Sequence, residues 1–467
     1  MAKLNPNRVP VAARAPALRV KDFDEYILGY TEDEVRAEAS RCLQCPNALE
    51  LCRRGCPIAN EIPGFMKAVA EGNWEEAALK VHLRNNLGAV CGRVCDQSRQ
   101  CEGSCVVGKR GTPLAIGLVE RYIMDWERAQ GRRAHGVPQG MPSNKRVAVV
   151  GAGPAGLAAA SDLARLGHQV TVFEALHVAG GVMAYGIPQF RLPRLVVEAE
   201  VGYMRSLGVE FCYDTVVGQT IAVDELLAGG YHVVFLGVGA GVPVFLGVPG
   251  ETLSGIYSAN EFLARITMMQ AHRYPEYDTS IYMGKKVAVI GAGNTAIDAA
   301  QTALRLGVGE VSIVYRRSAE EMPARKEEAE RAVEEGVNFH WLTNPLRFLG
   351  DDHHGRLAAM ECIQMALGEP DQSGRRRPVP QPGSEFVMPL DNAILAVSTI
   401  PGFLVPRTTG GLQVTRWGTI VAHGETGATD RRGVWAGGDV VSGPDTVVRA
   451  IRAGKRAAQD IDAYLRS

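Results

Sequence analysis

Residues 145–175 read KRVAVVGAGPAGLAAASDLARLGHQVTVFEA. A run of β-branched and small apolar residues, RVAVV, leads into a glycine turn. An alanine-rich stretch with helical spacing follows, then a second apolar run, VTVF. Strand, turn, helix, strand is the opening unit of a parallel α/β sheet. Gly151, Gly153 and Gly156 form GxGxxG in the turn. The first permits the tight turn, the second lets backbone approach a pyrophosphate, and the third lets the helix lie close on the strand. The amides that open the helix then face the phosphates. Glu174 closes the second strand, 23 residues after Gly151. A carboxylate there accepts hydrogen bonds from both ribose hydroxyls and repels a 2′-phosphate, so the turn fits FAD or NAD.

The design returns at residues 285–318, KKVAVIGAGNTAIDAAQTALRLGVGEVSIVYRRS. Both copies contain VAVxGAG, about 140 residues apart, which marks a duplicated fold unit rather than a short solenoid repeat. The second turn carries Gly291, Gly293, Asn294, Thr295 and Ala296. Where the first copy has Glu174, the second has Tyr315, Arg316 and Arg317. Arginines at that strand end suit a 2′-phosphate through charge and forked geometry. They also suit a solvated face. The contrast expects FAD in the first site and NADPH in the second. YHVVFLGVGA (231–240) reads as a buried strand running into a glycine turn, and EFVMPLDNAILAVSTIPG (385–402) as its counterpart. The tail, GVWAGGDVVSGPDTVVRAIRAGKRAAQDIDAYL (433–465), reads as strand, glycine-rich turn and long helix.

GAGPAGLAAA, GAGNTAIDAA and the late GVWAGGDV together resemble the two-dinucleotide-binding flavoproteins. That resemblance implies Asp439 near the ribityl or phosphate region of FAD, and Thr446 and Val447 near the flavin ring. GGVMAYGIPQFRLP (180–193), with Gly180 and Gly181, resembles the segment that passes the isoalloxazine. The expected divisions are an FAD-binding first part at 144–283, an NADP-binding domain at 284–400, and the remainder of the FAD-binding domain at 401–467. The disulfide-reductase branch keeps a cysteine pair beside the flavin. Here no CxxC or CxxxxC occurs after residue 105, and Cys212 and Cys362 read as isolated core residues.

Eight of the ten cysteines lie between Cys42 and Cys105, within residues 1–143, which read as mainly helical. TEDEVRAEASRC begins like a helix capped by Thr31. The first cysteine block holds Cys42, Cys45, Cys52 and Cys56, and the second Cys91, Cys95, Cys101 and Cys105. Two zinc sites fit the count. The C-x3-C-P ending of the first block resembles ferredoxin runs, whose last cysteine serves the other cluster. A neighbouring flavoprotein favours iron–sulfur, because flavin can release electrons singly and clusters accept them singly.

The whole N-terminal arrangement resembles the helical two-cluster domain of the glutamate synthase small subunit, of dihydropyrimidine dehydrogenase, and of the NADPH-binding subunit of NADH-dependent ferredoxin:NADP oxidoreductase. The resemblance covers essentially the full chain. It implies one [4Fe–4S] cluster on Cys42, Cys45, Cys52 and Cys105. A second would sit on Cys56, Cys95, Cys101 and Glu120, with Cys91 spare. The implied activity is electron transfer between NADPH, FAD and the two clusters, to or from a partner redox subunit. The texture of GRVCDQSRQCEGSC, FLARITMMQAHRYPEYDT and VYRRSAEEMPAR most resembles the NADPH-binding subunit of ferredoxin:NADP oxidoreductase, which implies a small flavin and iron–sulfur protein as that partner; a glutamate synthase large subunit is the alternative. Ferredoxin is a further candidate, and a module of a hydrogenase or formate dehydrogenase is an alternative setting. Direct hydride transfer needs no general base, so no catalytic acid or base is named.

Composition bounds the rest. At 467 residues the chain is long enough for two to four domains. A formal net charge of −1 supplies no field for nucleic acid or an anionic membrane. No run of eighteen apolar residues occurs, so no membrane span is expected. The N-terminus lacks the apolar core of a secretory signal, and a cytoplasmic protein is expected. Residues 320–336, with their many charges, read as a solvated helix, and His353 and His354 as surface residues.

Overall fold

The computed structural model describes residues 5–46, 49–131, 137–351, 355–371 and 374–467. His353, His354 and linker residues 132–136 lie outside these. The N-terminal part is helical: α1 (Glu32–Ala39), α2 (Ile62–Glu71), α3 (Trp74–His82), α4 (Gly88–Val94) and α5 (Ile116–Ala129). α1 starts where the sequence predicts, at a capping box in which the Thr31 hydroxyl accepts from Glu34 N–H and the Glu34 carboxylate accepts from Thr31 N–H. Val35, Phe65, Val69, Val81, Val90, Val119 and Ile123 are buried between the helices. Each such side chain contributes roughly 1.5–3 kcal/mol. That burial holds two cysteine-bearing loops against one another. A Cβ on Gly55 of the first block would stand 2.3 Å from Ser104 Oγ and 2.6 Å from Gln100 O of the second.

The nucleotide folds follow: β1 (Arg146–Val150), α6 (Pro154–Arg165), β2 (Gln169–Phe173), α7 (Arg194–Ser206), β3 (Glu210–Cys212), β4 (Val233–Leu236), β5 (Ile256–Ser258), β6 (Lys286–Ile290), α8 (Asn294–Arg305), β7 (Glu310–Tyr315), α9 (Lys326–Glu335), β8 (Asn338–Trp341), β9 (Asn392–Leu395), β10 (Val434–Ala436) and α10 (Val447–Arg466). One five-stranded sheet has the order β10-β4-β1-β2-β3 and the other β8-β7-β6-β9-β5. Both are wholly parallel. The central strands are buried on both faces, as all-parallel sheets require. The architecture is α/β: a helical N-terminal domain followed by two Rossmann-like folds.

Four readings need correction. Residues 385–402 form three strands, not one, the last of which, Thr399–Ile400, pairs with Val242–Pro243. Phe386–Pro389 joins an antiparallel meander with Thr343–Gly350, Leu357–Pro370 and Arg376–Pro380, and only Asn392–Leu395 enters the parallel sheet. β5 pairs with β9, so residues 256–258 serve the second sheet although they precede residue 284. Cys362 is buried, but Cys212 is exposed, because β3 is an edge strand and Cys212 stands at its end. α9 is only partly solvated: Glu328 and Glu335 are buried. Among the described residues no helix is long and apolar enough to cross a membrane.

Candidate cofactor sites

A cavity of about 460 Å³ opens at the C-terminal ends of the first sheet's strands. It is lined by Gly151, Gly153, Glu174, Gly181, Asp439, Thr446 and Val447. These come from three distant parts of the chain, brought together by β1, β2 and β10. Gly151 has φ +96°, and a Cβ there would meet Gly237 O at 2.6 Å. A Cβ on Gly153 would meet nothing within 4 Å, so the cavity reaches the backbone there. Gly156 and Gly180 stand behind it: Gly156 lies against Gly151 O, and Gly180 N–H donates to Ala152 O at 2.9 Å. Glu174 spans the turn. Its Oε2 accepts from Ala152 N–H at 2.7 Å and its Oε1 from Leu176 N–H at 2.9 Å. Burial raises its pKa, and those backbone bonds oppose the rise. Burial also pushes Asp439 up to about 7, against a backbone hydrogen bond at Asp445 and helped by the Asp445 charge. Thr446 stands at the N-cap position of α10, and its hydroxyl is buried, makes no cap hydrogen bond and has no partner among the described residues. An open glycine turn, a helix N-terminus and an orphaned hydroxyl fit a dinucleotide with a polar chain.

The second fold reaches the same cavity through Thr295 and Asp298 of α8. Gly291 has φ +124°, and a Cβ on Gly293 would meet nothing within 4 Å. Ala296 is buried against the sheet, as the third position of the turn demands. Asn294 Oδ1 accepts from Arg325 N–H at 3.1 Å, which ties the turn to the start of α9. The arginine pair divides. Arg316 is exposed, and no partner for it occurs among the described residues. Arg317 is buried and donates to Asp371 Oδ2 at 2.7 Å and Arg376 O at 2.8 Å. Arg317 as a direct phosphate ligand is therefore corrected: its charge is committed to the meander.

The eight cysteines sort into two sets. Burial raises Cys42 to about 11 and Cys52 to about 12, and it also raises Cys45. The Cys105 charge adds to all three. In the other set, burial raises Cys56 to about 11 and lifts Cys101, and the Glu120 charge adds to both. A hydrogen bond with Cys91, then burial, lifts Cys95, with Glu120 and Cys101 adding. Grouped thiols that resist ionisation alone form a donor set suited to a cationic cluster. Glu120 is buried on α5, and its Oε1 accepts from Asn60 Nδ2 and Asn85 Nδ2, each at 2.8 Å. Burial raises it to about 7 despite those bonds. Cys91 is not remote from the second set. It is buried, and its Sγ lies 3.7 Å from Asn85 Oδ1. Among the described residues no three Cys, His, Asp or Glu side chains converge as ligands of a single ion would. The assignment thus rests on the two thiol sets.

Residues 19–132 match the family described as dihydropyrimidine dehydrogenase domain II, 4Fe-4S cluster. Residues 145–454 match pyridine nucleotide-disulphide oxidoreductase. The glutamate synthase [NADPH] small chain of Halomonas elongata is 37% identical over 470 residues, covering 100% of this chain and 97% of that one. The chain belongs to the glutamate synthase small-chain family. Members of this family are oxidoreductases, and this one is an enzyme of that kind. Within the wider likeness, the NADP(+)-dependent formate dehydrogenase subunit beta of Moorella thermoacetica is 40% identical over 437 residues, 89% of this chain and 60% of that one. FprA of Mycobacterium tuberculosis, solved with NADPH, shares the fold at 22% identity and TM-score 0.56, over 69% of this chain and 84% of that one.

Some site residues of this family member had no clear sequence signal. Asn60 and Asn85 meet Glu120 from 60 and 35 residues away. Asp298 did have one: it is a lone acid on an alanine-rich helix face.

Proposed function

We propose that the chain is an iron–sulfur flavoprotein subunit that moves electrons between NADPH and a partner redox protein. The observation that carries this is the shared cavity, where the first glycine turn, Asp439 and Thr446 meet Thr295 of the second fold. When bound, FAD would exchange a hydride with NADPH and exchange single electrons with two [4Fe–4S] clusters. Gly151, Gly153, Glu174, Gly181, Asp439, Thr446 and Val447 would hold the flavin nucleotide. Gly291, Gly293, Thr295 and exposed Arg316 would hold the NADPH. Cys42, Cys45, Cys52 and Cys105 would hold one cluster, and Cys56, Cys95, Cys101 and Glu120 the other.

The two sets suggest an order. The second lies on the side that packs against the first nucleotide fold. There Glu200 of α7 accepts from Ala89 N–H at 3.0 Å, and Asn86 donates to Asp162 of α6 at 2.7 Å. In the first set Cys42, Cys45 and Cys52 are half-buried, and exposed Arg54 and Lys109 line a surface pocket with its Cys105; in the second only Cys56 is half-buried, with Cys95 and Cys101 buried. Electrons would pass from the flavin to the inner set, the outer set and then the partner. End-to-end likeness to glutamate synthase small chains supports a large glutamate synthase subunit as that partner. A flavin and [2Fe–2S] subunit, as in ferredoxin:NADP oxidoreductase, is the other reading from the sequence texture. Affinity purification under anaerobic conditions separates them by the mass and cofactors of the associated subunit.

The cluster assignment has its own test. Glu120→Ala should alter one of two reduced-cluster EPR signals and leave the other, while Cys91→Ser leaves both. The reverse pattern would make Cys91 the ligand. Two unchanged signals in Glu120→Ala would remove Glu120.

A further inference from the structure

Arg191 follows the GGVMAYGIPQF segment of the first nucleotide fold, yet its guanidinium lies in the second. Nη1 donates to both carboxylate oxygens of Asp298, at 2.7 and 2.8 Å. Nε lies 3.9 Å from Glu328 Oε2. The three side chains are only 5%, 6% and 4% exposed. Asp298 stands one turn into α8 and Glu328 on α9, so one cation from one fold grips two helices of the other. Glu328 Oε2 also accepts from the Tyr26 hydroxyl at 2.5 Å, which brings in the N-terminal domain. Arg19 of that domain donates to Glu334 of α9 at 2.5 Å.

A buried ion pair is weak support for stability, since apolar side chains of the same size serve as well, but loss of one partner strands the other charge. What such a group can supply is a fixed relative orientation. Its location gives that orientation a use. Asp298 lines the cavity that the two folds share, beside Thr295 of the NADPH turn. The loop that carries Arg191 begins at Gly181 and Tyr185, which line the same cavity.

We propose that Arg191, Asp298 and Glu328 form an interdomain clamp that sets the position of the second glycine turn over the flavin cavity. They are positioning residues for electron transfer from the nicotinamide. The inference rests on the reading that NADPH reduces a flavin bound in that cavity. Misplacing reactants by about 1 Å can cost on the order of 10²-fold in rate, while the contacts that bind NADPH stay intact.

The test uses the full chain with FAD bound. Asp298→Asn keeps the shape and removes the charge. Flavin bleaching at saturating NADPH should slow by about 10- to 100-fold. NADP⁺ affinity should change by less than about threefold, well under 1 kcal/mol. Amide hydrogen exchange should quicken across residues 187–193 and 326–331. Arg191→Lys, which keeps the charge, should fall between. A wild-type bleaching rate in Asp298→Asn with normal FAD content would overturn the clamp. If Asp298→Asn loses FAD, Glu328→Gln, outside the cavity, decides: slowed bleaching supports the clamp and a wild-type rate overturns it. If NADPH does not bleach the unaltered protein, the functional reading fails, and exchange alone decides. Faster exchange in the two segments of Asp298→Asn supports the clamp, and unchanged exchange overturns it.

Discussion

At the scale of the residue, burial decides what a side chain is for. Arg316 and Arg317 are neighbours of the same type, but Arg317 is spent on Asp371 and Arg316 faces solvent. We expect Arg316→Ala to raise KM for NADPH by roughly 10- to 100-fold, the worth of one charge-assisted contact at ~1.5–3 kcal/mol, and to leave KM for NADH unchanged. Arg317→Ala should instead lower the melting temperature, by loss of its pair with Asp371. Steady-state kinetics with both nucleotides and a thermal scan separate the two. Asp439 gives a pH signature. Its pKa in the folded chain is about 7, above the usual aspartate range. Between those values the folded flavin-free chain holds a proton that the unfolded chain has released. Stability therefore falls as pH rises toward about 7 and levels off above it. Asp439→Asn has no such slope. Its melting temperature should gain on that of the unaltered chain from about pH 5 to about pH 7. A constant difference across that range would show that Asp439 ionises normally.

At the scale of the element, α10 against α6 is the contact that makes the first glycine turn rigid. A Cβ on Gly454 would stand 2.1 Å from Ala155 O, so only glycine allows this approach. Lys455, the next residue, donates to Asp162 at 2.8 Å and to Asn86 at 2.9 Å, which ties α10 to α6 and the N-terminal domain. Gly454→Ala should cost about 1–3 kcal/mol by overpacking. It should also weaken FAD binding, because α6 opens the turn. Calorimetry and flavin fluorescence on release report the two effects. α9 carries a related lesson. Its charge pattern reads as a solvated face, but burial, which alone would raise Glu328, is outweighed by Arg191, Arg325 and Arg331, which hold it down to about 2. Arg325 and Arg331 belong to α9 and its cap, but charge spacing along a helix cannot reveal Arg191, which arrives from another domain.

At the scale of the whole molecule, the N-terminal domain is not a detachable ferredoxin-like unit. Its hydrophobic core runs without a break into that of the first nucleotide fold, and its arm reaches α9 through Arg19 and Tyr26. On the proposed reading, removal of the clusters should still leave the flavin reducible by NADPH. Transfer to one-electron protein acceptors should be lost, and trypsin should cut near Arg53, Arg54 and Arg99 while residues 146–466 persist. Stopped-flow absorbance and mass-mapped proteolysis check these outcomes. Loss of flavin reduction along with the clusters would show that the metal sites support the whole assembly.

Much of the plan was legible from the sequence alone. The glycine turns, the apolar strands and the duplicated unit are local patterns, since each depends on residues within one strand–turn–helix segment. The capped start of α1 and the tight turns at Gly151 and Gly291 are of this kind, set by backbone chemistry at adjacent positions. The interleaved ligand sets are a proposal that the resemblance in cysteine spacing supplied. Only the tertiary structure decided which of two adjacent arginines is free, that Cys91 lies beside Glu120's partner Asn85, and that Arg191 grips Asp298 across 107 residues. Those outcomes depend on desolvation and on partners from distant segments. Neither is recorded in the order of neighbouring residues.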